Sequence, residues 1–187
     1  MADPSMDVQR IVRETYGAVV PENSNVAEAL YDSRDLEYLP MDVRMLALGL
    51  GNPLRYAELR EGEVVLDLGS GGGIDTFLAG RDVGPSGEAI GLDLTETMIN
   101  HASRSAEAMG AANVRFEPGA MEDIPLPGES VDVVISNGVI NLSDQKQQVF
   151  NEAYRVLKPG GRLVFADSVV NGTLPEEILS SEAAWAG

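Results

Sequence analysis

A dense run of glycines follows an apolar stretch that ends in an acid, within the segment VVLDLGSGGGID at residues 64–75. Gly69, Gly71 and Gly73 form a G-x-G-x-G pattern, and Asp67 stands two residues before the first of them. Glycines that follow a strand this closely let the backbone approach a bound ligand. The segment therefore predicts a binding loop between a buried strand and a helix.

The spacing of these residues separates several kinds of ligand. The dinucleotide fingerprint G-x-G-x-x-G needs its third glycine where Ile74 stands, and no Gly-Lys-Ser/Thr follows, as a P-loop would require. An acid at the strand end before G-x-G-x-G is typical of sites for S-adenosylmethionine, which carries a cationic ammonium and sulfonium. Asp67 is suited to the ammonium, because a hydrogen bond to a charged group contributes about 1.5–3 kcal/mol. A tight structural turn is the alternative interpretation of the glycines alone.

Further candidate residues stand near the ends of the next strands. Asp93 ends a second strand, where an acid can accept both ribose hydroxyls, and Met121 with Glu122 or Asp123 can edge the adenine. Asn137 ends a fourth strand, at the carboxyl edge where open α/β sheets bind ligands. Core filling by Met121 and strand capping by Asn137 are the alternatives. The predicted cofactor-binding set is Asp67, Gly69, Ser70, Gly71, Gly73, Asp93, Leu94, Met98, Met121, Glu122 and Asn137.

Strands and helices must alternate to position these residues, and from residue 63 the pattern does so. The predicted strands are 63–68, 87–94, 113–117, 130–137 and 162–170, and the predicted helices between them are 74–83, 95–110 and 143–161. This order predicts an α/β fold with right-handed βαβ units and a parallel sheet of about five strands flanked by helices. We expect strand 113–117 at an outer position and strand 130–137 inside the sheet.

A different kind of segment precedes this alternating unit. Residues 7–19 place apolar side chains at helical spacing, residues 20–53 indicate either a connector of short helices or a lid, and residues 54–60 predict a short helix. We divide the chain into an N-terminal helix with a lid-like cap segment (1–60), a binding domain (61–170) and a C-terminal extension (171–187).

The composition excludes several classes of function. The chain has 187 residues and a formal net charge of −17, which argues against nucleic acid as a partner. Without cysteine there is no disulfide, thiolate metal site or cysteine nucleophile, and we predict no metal site. His101, the one histidine, is expected on a solvated helix face. No signal peptide or long apolar stretch is present, so we predict a cytoplasmic protein with no membrane partner.

These motifs together resemble those of class I S-adenosylmethionine-dependent methyltransferases, and more narrowly those of the arsenite methyltransferases. The segments VVLDLGSGGGIDTFLA, ISNGVINLS and EAYRVLKPGGRLVFAD carry the resemblance, and LGLGNP and LPEE give weaker support. The resemblance implies a Rossmann-like fold, S-adenosylmethionine as the cofactor and a small-molecule methyl acceptor as the partner.

The chain departs from that family where the resemblance implies cysteines. Those positions are Leu50, Gly138 and the residue after Ala186-Gly187, where this sequence stops. Because arsenic(III) needs soft ligands, the resemblance carries over the cofactor site but not the arsenic site. We therefore expect a methyltransferase of arsenite-methyltransferase type whose small-molecule acceptor has diverged from arsenite. The alternatives are a catalytically inactive S-adenosylmethionine-binding or regulatory protein and, disfavoured by Ile74, a nicotinamide-dependent oxidoreductase.

The sequence stops shortly after its fifth predicted strand. The resembled fold has two further strands, so we expect a sheet truncated before them, with RLVFADSVV as an unprotected apolar edge. A fragment, a short relative and a homodimer paired through this edge are three interpretations that stay open. No general base is found near the end of the fourth strand, so no catalytic residue is assigned. A soft or already deprotonated acceptor, or no turnover, is favoured.

Overall fold

A parallel five-stranded sheet forms the centre of the computed structural model, which describes residues 7–20, 23–172, 178 and 181–185. The order of the strands across the sheet is β3-β2-β1-β4-β5, so the predicted outer and inner positions of the third and fourth strands are confirmed. The strands are β1 (Val64–Leu68), β2 (Glu88–Asp93), β3 (Val114–Pro118), β4 (Val131–Asn137) and β5 (Leu157–Ala166).

Helices lie before, between and after these strands. They are α1 (Val8–Gly17), α2 (Asn25–Leu30), α3 (Ser33–Tyr38), α4 (Met41–Arg44), α5 (Leu54–Ala57), α6 (Ile74–Val83), α7 (Glu96–Met109), α8 (Lys146–Val156) and α9 (Glu182–Trp185), with a 3-10 turn at Ile140–Leu142.

Alternate residues of β1 supply two separate hydrophobic clusters, as the two-residue period of a strand requires. Val65 packs in one cluster with Phe77 of α6, while Leu66 packs in the other with Val149 and Ala153 of α8. Because β1 is buried on both faces, its sequence is a continuous apolar run interrupted only by Asp67. That interruption is the first sign of a binding site.

The segment before the sheet is a connector of short helices that shares the core of the sheet. Ala27, Tyr31, Leu39 and Val43 are buried in the same cluster as Val65. Asp7 caps α1 by accepting a hydrogen bond from the backbone N–H of Arg10 at 2.9 Å. Pro21, the LPEE motif and Ala186-Gly187 lie outside the described residues, and the boundaries at 60 and 170 stay predictions.

The structure differs from the prediction where α8 meets β5. The helix begins at Lys146 and ends at Val156, and the strand follows at once instead of starting at residue 162. Val131 pairs with Leu157 but Val133 pairs with Arg162, so the residues 158–161 form a bulge with Gly160 at a φ of +83°. The proline and glycines that predicted a helix end therefore make an irregularity inside a strand.

The strand β5 ends at Ala166, four residues earlier than predicted, and Val169 beyond it is 93% exposed. Within the described ranges β5 pairs only with β4, and Phe165 on it is 46% exposed. Pairing of this edge with a second copy stays a prediction. None of the helices in the described part of the chain has the length and apolar character needed to cross a membrane. The cytoplasmic location also stays a prediction.

Arg162 joins β5 to the end of the cap segment. Its guanidinium donates to the carbonyl oxygens of Ala57 and Glu58 and makes two 2.8 Å bonds to the carboxylate of Glu63. These bonds hold the pKa of Glu63 below its ordinary value. Because the ion pair is largely shielded from water, it should contribute more than a surface pair does.

We expect Arg162→Ala to lower the free energy of unfolding by about 1.5–3 kcal/mol, measured by urea denaturation. The matched control is Arg10→Ala, which breaks exposed ion pairs to Glu14 and Glu182 and should leave stability unchanged. Equal effects of the two substitutions would contradict the anchoring role of Arg162.

Candidate functional site

A cleft opens at the carboxyl ends of β1, β2 and β4, where parallel α/β sheets bind ligands. Its empty volume is about 1060 Å³, including the part open to solvent. The loop between β1 and α6 forms its floor. Three groups of residues from outside the sheet add walls: Gln9, Val12 and Tyr16 of α1; Leu46, Leu48 and Gly49 of the cap; and Gly138, Val139 and Leu142 after β4.

Ten of the eleven predicted cofactor residues line this one cleft; they are Asp67, Gly69, Ser70, Gly71, Asp93, Leu94, Met98, Met121, Glu122 and Asn137. Gly73 is not among the lining residues. It starts α6, and a Cβ at this position would lie 2.7 Å from Cζ of Phe116. The need for glycine at position 73 is thus explained by packing between α6 and β3, and contact of the ten others with a cofactor stays a prediction.

Asp93 holds the glycine-rich loop against the end of β2. Its two carboxylate oxygens accept 2.8 Å hydrogen bonds from the backbone N–H groups of Gly71 and Thr95. Burial raises the pKa of Asp93, and these two bonds oppose the rise. Gly69 has a φ of +69°, and a Cβ there would lie 2.4 Å from Val139, so only glycine lets the two loops meet.

Asp67 is a buried carboxylate that points into the region of the cleft floor. It accepts a 2.6 Å hydrogen bond from the hydroxyl of Thr76. Burial raises its pKa well above the ordinary value, and the neighbouring charge of Asp75 raises it further. The hydroxyl oxygen of Ser70, also buried in the cleft lining, has no hydrogen-bond partner among the described residues. Both groups are free to meet the polar atoms of a ligand.

The cleft lining carries acidic groups but no basic side chain among the described residues. Its acids are Asp67, Asp75, Asp93 and Glu122. Buried carboxylates normally have a cationic partner, and the described residues of the lining supply none. The charge of the cleft therefore fits a ligand with an ammonium and a sulfonium, and it opposes the pyrophosphate of a dinucleotide.

A second buried carboxylate, Asp75, is the centre of a hydrogen-bond network that sequence reasoning missed. The hydroxyl of Tyr31 donates to its Oδ1 at 2.9 Å, and Nδ2 of Asn137 donates to its Oδ2 at 2.9 Å. Burial raises the pKa of Asp75 to about 6, and the two donors oppose the rise. The network connects α2 of the cap, the start of α6 and the end of β4.

Asn137 also fastens the cap segment over the cleft. Its Oδ1 accepts from the backbone N–H groups of Leu50 and Gly51 at 2.9 and 3.0 Å, and its Nδ2 donates to the carbonyl of Gly51 at 2.8 Å. A Cβ at Gly49 would lie 2.3 Å from Nδ2 of Asn137. The amide therefore positions the loop around Gly49 as a cleft wall, in addition to facing the cleft itself.

Leu50 and Gly138, two positions where the resemblance implies cysteines, are in direct proximity. A Cβ at Gly138 would lie 3.0 Å from Cγ of Leu50. The side chain of Leu50 is 55% exposed, as is typical of a residue at the mouth of a site. These two positions form an apolar rim with no soft ligand.

The remaining candidates have clear structural partners. Glu122 accepts hydrogen bonds from Ser143 and, at 3.2 Å, from Gln9 of α1, and Met121 packs at the margin of the second hydrophobic cluster while lining the cleft. The expectation that His101 is solvated is wrong: its side chain is 20% exposed, 3.2 Å from the carboxylate of Asp42. Asp42 belongs to α4, and His101 is not among the residues that line the cleft.

The sequence marks Asp75 but not Tyr31, the two members of the hydrogen-bond network that were not predicted. Asp75 directly follows the glycine loop at the first turn of α6, so its position could have been recognised. Tyr31 lies 44 residues before its partner Asp75, in a segment with no strong periodicity, and nothing local marks it.

Comparison with known proteins agrees with this geometry. The family model described as a methyltransferase domain matches residues 59–187. The chain belongs to this family. Arsenite methyltransferases from Halobacterium salinarum and Mus musculus are 46% and 39% identical to it, over 79% and 83% of this chain. These matches cover 38% and 43% of the two relatives, so the chain spans about two fifths of their length.

Two solved structures resemble this methyltransferase domain. An arsenic(III) S-adenosylmethionine methyltransferase from Chlamydomonas reinhardtii superposes with a TM-score of 0.65 at 35% identity, covering 86% of this chain and 53% of that one. A SAM-dependent methyltransferase from Aquifex aeolicus gives 0.60 at 25% identity, covering 83% and 79%. The predicted Rossmann-like class I fold and the resemblance to arsenite methyltransferases are confirmed.

The network predicts a specific local effect of Asn137→Ala. We expect the backbone amides of Leu50 and Gly51 to exchange with deuterium at least about tenfold faster, because they lose their acceptor and the loop opens locally. The matched control is Asn113→Ala, whose amide bonds the carbonyls of Gly80 and Gly84 away from the cleft. Unchanged exchange at Leu50 and Gly51 in the Asn137 variant would show that the loop is held by other contacts.

Proposed function

We propose that this chain is the cofactor-binding part of an S-adenosylmethionine-dependent methyltransferase of arsenite-methyltransferase type. Its methyl acceptor is a small molecule other than arsenite. The observation that carries the proposal is the pair Asp67 and Asp93. Asp67 is buried and Asp93 is half-buried, both stand at neighbouring strand ends beside the glycine loop, and neither has a basic partner in the described cleft.

The chemistry of the lining fits the parts of this cofactor. In this proposal Asp67 binds the ammonium, Asp93 accepts from the ribose hydroxyls with the lone pairs that Gly71 and Thr95 leave free, and Met121 with Glu122 borders the adenine. The bound cofactor supplies a methyl group on a sulfonium, which an acceptor attacks in line. The chain's own residues then contribute mainly orientation and exclusion of water, which are large effects when geometry is fixed.

The acceptor is proposed to reach the cofactor past Leu48, Leu50 and Gly138. Leu50 and Gly138 offer no thiolate, which supports an acceptor other than arsenic(III) held by cysteines at these positions. Asp75 is buried and is held by hydrogen bonds from Tyr31 and Asn137, and we assign no general base among the described residues of the cleft. An acceptor whose attacking atom needs no deprotonation fits this arrangement.

The second candidate function is an S-adenosylmethionine-binding protein without turnover. It is favoured by the engaged carboxylate of Asp75 and by the lack of an assigned base. Both candidates predict the same cofactor site, so binding and turnover must be measured separately.

The experiment that tests the proposal is calorimetry with S-adenosylmethionine, S-adenosylhomocysteine and NADH, followed by assay of S-adenosylhomocysteine release. We expect the first two ligands to bind and NADH not to bind. Release with any member of a panel of arsenite, thiols, thioethers, phenols and amines would support the methyltransferase. Tight binding with no release would favour the second candidate, and binding of NADH alone would refute both.

In the same calorimetric assay, Asp93→Ala should weaken the binding of S-adenosylmethionine by about 1.5–3 kcal/mol, because hydrogen bonds to a charged acceptor are lost. Asp144→Ala is the matched control, because Asp144 is exposed just beyond the cleft residue Leu142. Thermal unfolding of each variant separates a folding defect from lost contacts. Unchanged affinity in a folded Asp93 variant would show that the ribose is held elsewhere.

The raised pKa of Asp67 makes cofactor binding sensitive to pH. A cation beside the carboxylate lowers its pKa, so binding should release protons, and affinity should increase as pH rises through the raised pKa. We expect the heat of binding, measured at one common pH, to differ between phosphate and imidazole buffers, whose ionisation enthalpies differ. Asp67→Asn should remove its share of that difference, and equal heats for the unaltered protein would contradict the role of Asp67.

A further inference from the structure

We infer that the mouth of the cleft selects an uncharged methyl acceptor over carboxylates and phosphates, and that Asp75 sets this preference. The inference rests on the proposed function and goes beyond it by naming the class of acceptor. It also assigns a specificity-determining role to a residue that lies outside the predicted cofactor set.

The cleft keeps surplus negative charge after the cofactor has bound. S-adenosylmethionine carries an ammonium, a sulfonium and a carboxylate, and therefore a net charge of +1. Four acidic side chains line the cleft, and no lysine, arginine or histidine among the described residues does. The residues outside the described ranges contain none of these three types in their sequence. An acceptor anion would thus enter a cleft with surplus negative charge and no cationic side chain in the described lining to pair with.

Part of that surplus charge, on Asp75, lies close to the proposed path of the acceptor. Asp67 and Asp93 are assigned to the cofactor, which leaves Asp75 as the buried acid without a cationic partner. Asp75 contacts Asn137 at 2.9 Å, and Asn137 in turn holds the backbone of Leu50. The carboxylate is therefore one side chain away from the rim through which the acceptor enters. Its donors, Tyr31 and Asn137, are both neutral and leave its charge uncompensated.

The walls at the mouth of the cleft are apolar. Leu46, Leu48, Val139 and Leu142 line the cleft, and Leu50 packs beside Gly138 at its rim. Leu48 and Leu50 are 48% and 55% exposed, so they present apolar surface to an incoming molecule. Apolar walls around an uncompensated buried carboxylate favour an uncharged molecule and disfavour an anion.

Such an acceptor also matches the absence of an assigned base. A neutral sulfur atom, for example, forms its new bond to the methyl carbon with a lone pair. The old bond from that carbon breaks with its electron pair remaining on the cofactor's sulfur, and no proton has to leave. The positive charge passes from cofactor to product and stays close to the carboxylates of the cleft.

The test compares two probes of nearly the same size and shape, the neutral 3-(methylthio)propanamide and the anionic 3-(methylthio)propanoate. Protein saturated with S-adenosylhomocysteine is titrated with each probe, and binding is followed by NMR at the backbone amides of Gly49, Leu50 and Gly138. We expect the amide probe to bind at least about tenfold more tightly than the carboxylate. The titrations are repeated in about 1 M salt, where the Debye length is about 3 Å and repulsion by the acidic surface is screened.

Asp75→Asn should reduce the tenfold preference to less than about threefold. Asp144→Asn removes the same charge from an exposed position and should keep the full preference. Equal or tighter binding of the carboxylate by the unaltered protein, or no perturbation of the three amides by the amide probe, would overturn the inference. So would loss of the preference in high salt. These outcomes do not require the Asp75 variant to fold.

Failure of the proposed function gives a different result. If neither S-adenosylmethionine nor S-adenosylhomocysteine binds, the methyltransferase proposal is wrong. The same pair of probes is then titrated into the unliganded protein. A preference for the amide that depends on Asp75 would still support the inferred selectivity of the mouth, and its absence would refute that selectivity independently.

Discussion

The geometry of the cleft depends on one amide side chain, that of Asn137. An amide places a donor and an acceptor side by side, and here the oxygen receives two backbone N–H groups while the nitrogen faces a carboxylate and a carbonyl. Aspartate would set an oxygen against Asp75, and leucine would leave buried polar groups unpaired, at a cost of about 1–3 kcal/mol each. The end of β4 therefore determines where the cap segment lies and how wide the mouth is.

The same region contains buried carboxylates whose unfavourable electrostatic energy a cationic ligand can lower. Asp67 and Asp75 are both buried, the charge of Asp75 raises the pKa of Asp67, and neither has a cationic side chain beside it in the described lining of the cleft. Burial raises the pKa of such carboxylates, and a cation beside them lowers it again. Ligand binding and the ionisation of these acids are consequently linked, so affinity, pH and stability cannot vary independently in this protein.

Much of the fold followed from the sequence because the signals were local. Apolar runs between helical patterns indicated five strands, with the third outside and the fourth inside the sheet, and acids at strand ends pointed to Asp67 and Asp93. The bulge at residues 158–161 was missed because Pro159 and Gly160 terminate helices in most contexts, and only pairing with β4 keeps them in a strand. Tyr31 was missed for a similar reason, since its hydroxyl acquires meaning only when folding brings it to Asp75.

Leu50 and Gly138, the two positions at which the resemblance implies cysteines, form one place in the fold. Positions 50 and 138 are 88 residues apart in sequence, yet a Cβ at 138 would lie 3.0 Å from the Leu50 side chain. A pair of thiolates at such neighbouring positions could share one soft ion, and a single thiolate could not hold it as firmly. In this chain an apolar side chain instead packs beside a glycine at these two positions. The proposed cofactor site needs neither position, because Asp67, Asp93 and the glycine loop are held by β1, β2 and α6. In the proposed function, the acceptor can therefore change at this rim without a change in the residues assigned to the cofactor.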